Sequence, residues 1–145
     1  MADHSKWAKK ASDDLKLRLK QQQQQQEAFV ATRKLIEAEG PRLWAELREC
    51  LKQKCEAFNV EFGEERLMFE VVPSSTVRIT TDNIHILNGS YDDSNHLATF
   101  DGTQFSVRVD QRTGRAYWSH KDSSVDQLTA DQLSEMILDN FIKHE

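Results

Sequence analysis

The chain has 145 residues, with 19 Lys and Arg against 24 Asp and Glu, a formal charge of −5 and 38% hydrophobic residues. Globular domains average roughly 45–50% apolar residues, and the polar N-terminal stretch accounts for much of the shortfall. No run approaches the roughly 20 apolar residues of a membrane-spanning helix, and the first residues lack the apolar centre of a secretory leader.

These absences make a cytoplasmic location without a membrane span the default expectation. The length favours one folded domain, read as residues 41–145, preceded by a polar helical arm over 1–40. Six basic residues (Lys6, Lys9, Lys10, Lys16, Arg18 and Lys20) face only Asp3, Asp13 and Asp14 ahead of the glutamines. Binding to phosphates demands a dense basic surface, so the acidic remainder argues against nucleic acid as a partner.

From Trp7 to Phe58 good helix formers dominate, and only Gly40-Pro41 interrupts them. Glycine suits the residue just past a helix and proline the first turn of the next, so the pair predicts two helices with a true break. In the first, the stripe Trp7, Ala11, Leu15, Leu19 is interrupted by the polyglutamine tract Gln21 to Gln26, read as a solvated helical turn or a disordered link. The stripe resumes at Phe29, Ile36 and Leu43, a heptad-like spacing too short to specify a coiled coil. In the second, Leu43, Trp44, Leu47, Cys50, Leu51, Cys55 and Phe58 recur at three and four residues, the pattern of one buried face. Cys50 and Cys55, five apart on a helix, diverge and predict neither a disulfide nor a zinc site.

After Gly63 the hydrophobic period changes to two, and turn residues recur at hairpin spacing. Six strands are predicted. Leu67, Phe69 and Val71 alternate in the first, which ends at Pro73-Ser74-Ser75. Val77, Ile79 and Thr81 alternate in the second, which ends at Asp82-Asn83. The third carries Ile84 and Ile86 inward and stops at Asn88-Gly89, before a polar loop over Ser90 to Asn95. Leu97 to Phe100 turns through Asp101-Gly102, a type I′ dipeptide, into Gln104 to Asp110. Arg112-Thr113-Gly114 then leads to Ala116 to Ser119, with Tyr117 outward and Trp118 inward. Connections this short force an antiparallel meander.

Thr129 with Gln132 forms a capping box, and Leu133, Met136, Ile137 and Phe141 give the final helix an apolar face. The expected fold class is α+β: N-terminal helices, a six-stranded antiparallel meander, and a C-terminal helix packed on one sheet face.

Chemistry-bearing patterns are sparse. No two of His4, His85, His96, His120 and His144 have helical metal-pair spacing, although His96 and His120 border loops that could meet. The loop Tyr91-Asp92-Asp93-Ser94-Asn95 lacks the alternating ligands and closing Glu of a calcium loop and reads as a polar hairpin. No phosphate-cradling glycine motif occurs. No cofactor or metal is therefore expected, and enzymatic use of His85, His120 or the aspartate-rich loop is the weakest reading. Alternation projects Arg78, Thr80, His85, Ser106, Arg108 and Tyr117 onto the outer face. Such a face is normally just solvated, but Arg78, His85, Arg108 and Tyr117 could meet a ligand or an acidic partner.

Phe29, Leu35 and Ile36, if not buried within the chain, demand a partner helix, most economically a second copy. The functional expectation is a non-enzymatic, self-associating interaction module. The alternative is a small-ligand-binding domain with a pocket between sheet and helices.

Overall fold

A computed structural model describes residues 4–73, 75–81, 85–123 and 126–143. Ser74, the Asp82-Asn83 turn, Ile84 and His144 lie outside the described residues. The element order is α1 (His4–Phe62), β1 (Leu67–Val71), β2 (Thr76–Thr81), β3 (His85–Asp92), β4 (Leu97–Phe100), β5 (Thr103–Val109), β6 (Ala116–His120) and α2 (Ala130–Lys143). No helix among the described residues is long and apolar enough to cross a membrane. The chain divides into two compact units, residues 1–34 and 35–145.

Residues 4–34 are helical throughout, including Gln21 to Gln26, which take the form of exposed helix. Trp7, Leu15, Leu19 and Phe29 are each more than half exposed.

In the second unit the six strands form one antiparallel sheet in the order β1-β2-β3-β4-β5-β6. One face is covered by the later part of α1, through Leu43, Trp44, Leu47, Leu51 and Cys55, and by α2, through Leu133, Ile137 and Leu138. Against them the sheet sets Leu67, Val77, Ile79, Leu87, Tyr91, Ala98, Phe100, Phe105, Val107 and Trp118. Trp44 stacks on Tyr91 with centroids 5.6 Å apart, and Tyr91 meets Trp118 edge-on at 6.2 Å. Each fully buried side chain of this size contributes about 1.5–3 kcal/mol, so this layer holds the unit together.

Local chemistry sets the ends of the elements. Gly63, at φ +94°, closes α1 by donating its N–H to Asn59 O at 3.0 Å. The Asn59 carboxamide accepts from the N–H groups of Arg66 and Leu67 and donates to Leu67 O, each at 2.8 Å, which ties the helix end to the start of β1. Asp101 (φ 48°) and Gly102 (φ 89°) both have positive φ, as the type I′ turn requires. At α2, Thr129 N–H donates to Gln132 Oε1 at 3.0 Å and Gln132 N–H to Thr129 Oγ1 at 3.1 Å, which completes the capping box. Lys54 Nζ and Asp131 Oδ1, 2.5 Å apart, join α1 to α2.

Two expectations are corrected. Gly40-Pro41 does not separate two helices, since α1 runs through both residues. An interior proline forfeits one backbone hydrogen bond, a cost of about 3 kcal/mol. Continuation keeps Ile36, Gly40, Leu43 and Leu47 in register on one packed stripe. Gly40 is buried against Tyr91 instead of ending a helix.

The second correction concerns β3, which passes through Asn88-Gly89 to Asp92 with the opposite phase to that expected. Leu87, Gly89 and Tyr91 face the core, while Ile86 is 49% exposed. Gly89 belongs in the strand because a Cβ there would lie 2.3 Å from Phe100 Cε1 and 2.8 Å from Val77 Cγ2. A shift of one residue in phase moves every side chain of a strand to the other face.

Candidate functional site

The site is assembled where β6 ends. Trp118 is fully buried, and alternation places His120 on the same face, where its ring lies 4.8 Å from that of Phe105 on β5. The chain then leaves the sheet and returns, and Leu128 exchanges backbone hydrogen bonds with Trp118 at 2.7 and 2.9 Å. That return brings Asp126 to His120, with Nδ1 to Oδ2 at 2.5 Å.

Asp126 also accepts from Ser119 Oγ at 3.0 Å and from the backbone N–H of His120 at 3.3 Å. The hydrogen bond from His120, chief among several, holds the Asp126 carboxyl well below the usual carboxylate range. A carboxylate can only accept, so His120 Nδ1 carries the proton of this bond. His120 is thereby fixed in orientation.

Beside this pair runs a cleft of about 500 Å³ between the sheet and α2. Leu87, Phe100 and Phe105 form its sheet wall, and Met136, Ile137 and Phe141 its helix wall. Its polar groups come from Asp101, Thr103, His120 and Asn140. Asp101 is held by its turn and by accepting the Asn88 N–H at 3.1 Å. A second depression, lined by Gln104, Lys121 and Asp122 among others, shares Thr103 and His120 with the first. Mostly apolar walls with a few placed polar groups, at this volume, are the usual make-up of small-molecule sites.

The residues singled out from sequence do not converge. Arg108 and Tyr117 are direct cross-strand partners on the outer face. Arg78 lies three strands away on β2, between Glu70 and Asn88. At about 4.8 Å per strand that separation is roughly 14 Å, too wide for one small ligand head. His85 is opposite Thr81, whose side chain is buried, and so by alternation shares the phase of Leu87 and not that of Arg78, although its own side chain is exposed at the strand end. Phe29 is 66% and Leu35 41% exposed, but Ile36 packs against the core and drops out of any surface available to a partner.

His96 and His120 do not meet. The His96 ring faces Tyr91 Oη at 3.5 Å, whereas His120 holds Asp126. Burial pushes the Tyr91 hydroxyl up to about 12, with Asp93 and Asp92 adding to the effect. The aspartate-rich loop is a self-contained turn. Asp92 accepts from Asn95 Nδ2 and from the N–H groups of Ser94 and Asn95, and these bonds, the Asn95 side chain first, lower its pKa. Among the described residues no three His, Cys, Asp or Glu side chains are grouped to hold a metal ion. Burial raises the pKa of the Cys50 thiol and pushes that of Cys55 up to about 12, the reverse of an activated nucleophile.

Sequence reasoning did not find the pairing of His120 with Asp126. The inward phase of Trp118, carried past the predicted strand end at Ser119, would put His120 on the core side, but nothing in the spacing says that the following segment folds back along β6. No protein family, curated protein or solved structure matches the chain.

Proposed function

We propose that the chain is a non-enzymatic interaction module that associates with a second copy of itself through the N-terminal part of α1. One observation carries this reading: of thirteen exposed large hydrophobic residues among the described residues, seven (Trp7, Leu15, Leu17, Leu19, Phe29, Val30 and Leu35) fall within residues 4–35. A helix draws most of its stability from an apolar face that packs on something. Leu15, Leu19, Gln22, Gln26 and Phe29 follow alternate steps of four and three, the spacing of a helix–helix seam. The free thiols Cys50 and Cys55 suit a reducing compartment, which favours a cytoplasmic assignment.

The test is light scattering on the full chain and on a Leu19→Lys/Phe29→Lys variant at micromolar concentration. The expected result is a dimer or higher species that becomes a monomer in the variant. A monomeric wild type would overturn the reading, as would an oligomer that ignores both lysines.

A second reading is supported by the cleft between the sheet and α2: a small-ligand-binding domain with His120 as its fixed polar group. The two readings concern different parts of the chain and do not compete for residues.

A further inference from the structure

We infer that the cleft between the β4–β5 hairpin and α2 takes a small molecule with a flat aromatic body and a hydrogen-bond-donating, cationic head, an arylalkyl ammonium being the closest fit. This inference rests on the ligand-binding reading and adds the chemical class to it.

The body follows from the walls. Phe100 and Phe105 meet edge-on with centroids 6.5 Å apart on the sheet side, and Phe141 with Ile137 closes the helix side. Aromatic rings in such surroundings are favoured by area and by edge-to-face contact.

The head follows from what the polar groups have left to offer. His120 is held by Asp126 through Nδ1, so its ring is committed to the carboxylate and turned along the cleft wall. Asp101 spends Oδ1 on the Asn88 N–H and retains Oδ2, a carboxylate acceptor. No Lys or Arg is among the described residues that line the cleft. A carboxylate head would therefore face the Asp101 carboxylate with no Lys or Arg in the lining, while an ammonium would find an acceptor and a charge of the right sign.

The experiment titrates the ¹⁵N-labelled full chain with three probes of one shape: phenethylamine, 2-phenylethanol and phenylacetate. Saturable amide shifts are expected at Phe105, His120, Met136 and Asn140. The expected order is amine, then alcohol, then acid, with the amine about tenfold tighter than the acid, a difference of about 1.4 kcal/mol. Asp101→Asn, which the left-handed backbone at that position tolerates, should remove the advantage of the amine over the alcohol.

Phenylacetate binding as tightly as the amine, or an amine advantage that survives Asp101→Asn, overturns the inference while leaving a ligand-binding cleft. Absence of saturable shifts with all three probes overturns the ligand-binding reading itself, and the inference with it.

Discussion

Tyr91 Oη occupies the space a side chain on residue 40 would need: a Cβ built on Gly40 would lie 2.2 Å from it. The tyrosine cannot easily swing away, because Trp44 stacks on one side of its ring and Trp118 abuts it edge-on. The helix and the sheet therefore approach each other closely at one glycine, and this contact fixes where α1 crosses β3.

Gly40→Ala tests that contact. By propensity alone, alanine inside a helix is better than glycine by up to about 1 kcal/mol. Overpacking a filled interior costs about 1–3 kcal/mol, and here it should win, lowering the urea midpoint. Tyr91→Phe removes only the hydroxyl, whose hydrogen-bond contact is a long 3.5 Å one to His96, so the double variant should recover most of the loss. Gly40→Ala at or above wild-type stability would mean that the approach is looser than the structure shows.

Gly89→Ala should also destabilise, by about 1–3 kcal/mol, but for a different reason and without rescue by a change at Tyr91. Here the added methyl meets the Phe100 ring at 2.3 and 2.6 Å and Val77 at 2.8 Å in the middle of the sheet. Phe100 also contacts Trp44 and Phe105, so it has little room to yield. Thermal unfolding of the single variant and of its combination with Tyr91→Phe separates the two glycines.

These two glycines also mark the limit of what the amino-acid pattern conveys. Alternation in Leu67-Phe69, Val77-Ile79 and Phe105-Val107, with Asp101-Gly102 as a turn, specified an antiparallel meander, because period two and positive-φ dipeptides act locally. Thr129 and Gln132 announced α2 for the same reason. Gly40 and Gly89 also carry local turn signals, but distant side chains, Tyr91 and Phe100, override them. The pairing of His120 with Asp126 was illegible on the same grounds: it depends on Leu128 returning to bridge Trp118, a contact with no periodic signature.

The Asp126 carboxylate predicts a pH dependence whose sign follows from linkage. Its folded-state pKa is depressed from the ordinary 3.8, with the His120 hydrogen bond as the first cause. On acidification the unfolded chain takes up this proton before the folded one does. The contribution is therefore fully present above about pH 5 and is lost as pH falls through and below 3.8. Asp126→Asn removes the group that titrates. The difference in urea midpoint between the wild type and the variant should be largest at pH 7, begin to narrow below about pH 4 and go on narrowing through pH 3. A gap that stays constant across this range would show that Asp126 acts through packing alone.

On the proposed self-association face, Gln22 and Gln26 interrupt the seam between Leu19 and Phe29. Replacing both with leucine makes the apolar stripe continuous, which should shift the light-scattering transition to lower protein concentration and raise helix content by circular dichroism. An unchanged association midpoint would place the contact on a different face of the helix, away from Leu15, Leu19 and Phe29.

Thiol reactivity gives a residue-level readout of the packed stripe. Cys55 is 1% exposed and its pKa is pushed up by burial to about 12, whereas Cys50 is partly exposed. At pH 8, about four units below that value, on the order of one Cys55 thiol in 10⁴ is ionised. Since the thiolate is the attacking species, even that fraction must wait for the unit to open before a disulfide reagent can reach it. Labelling of the native chain should therefore stop at one equivalent, on Cys50. The second equivalent should appear only as urea is raised, in step with the unfolding transition. If Cys55 reacts as fast as Cys50 without denaturant, the later part of α1 detaches from the sheet without global unfolding, and the stripe from Leu43 to Cys55 contributes less to stability than its burial implies.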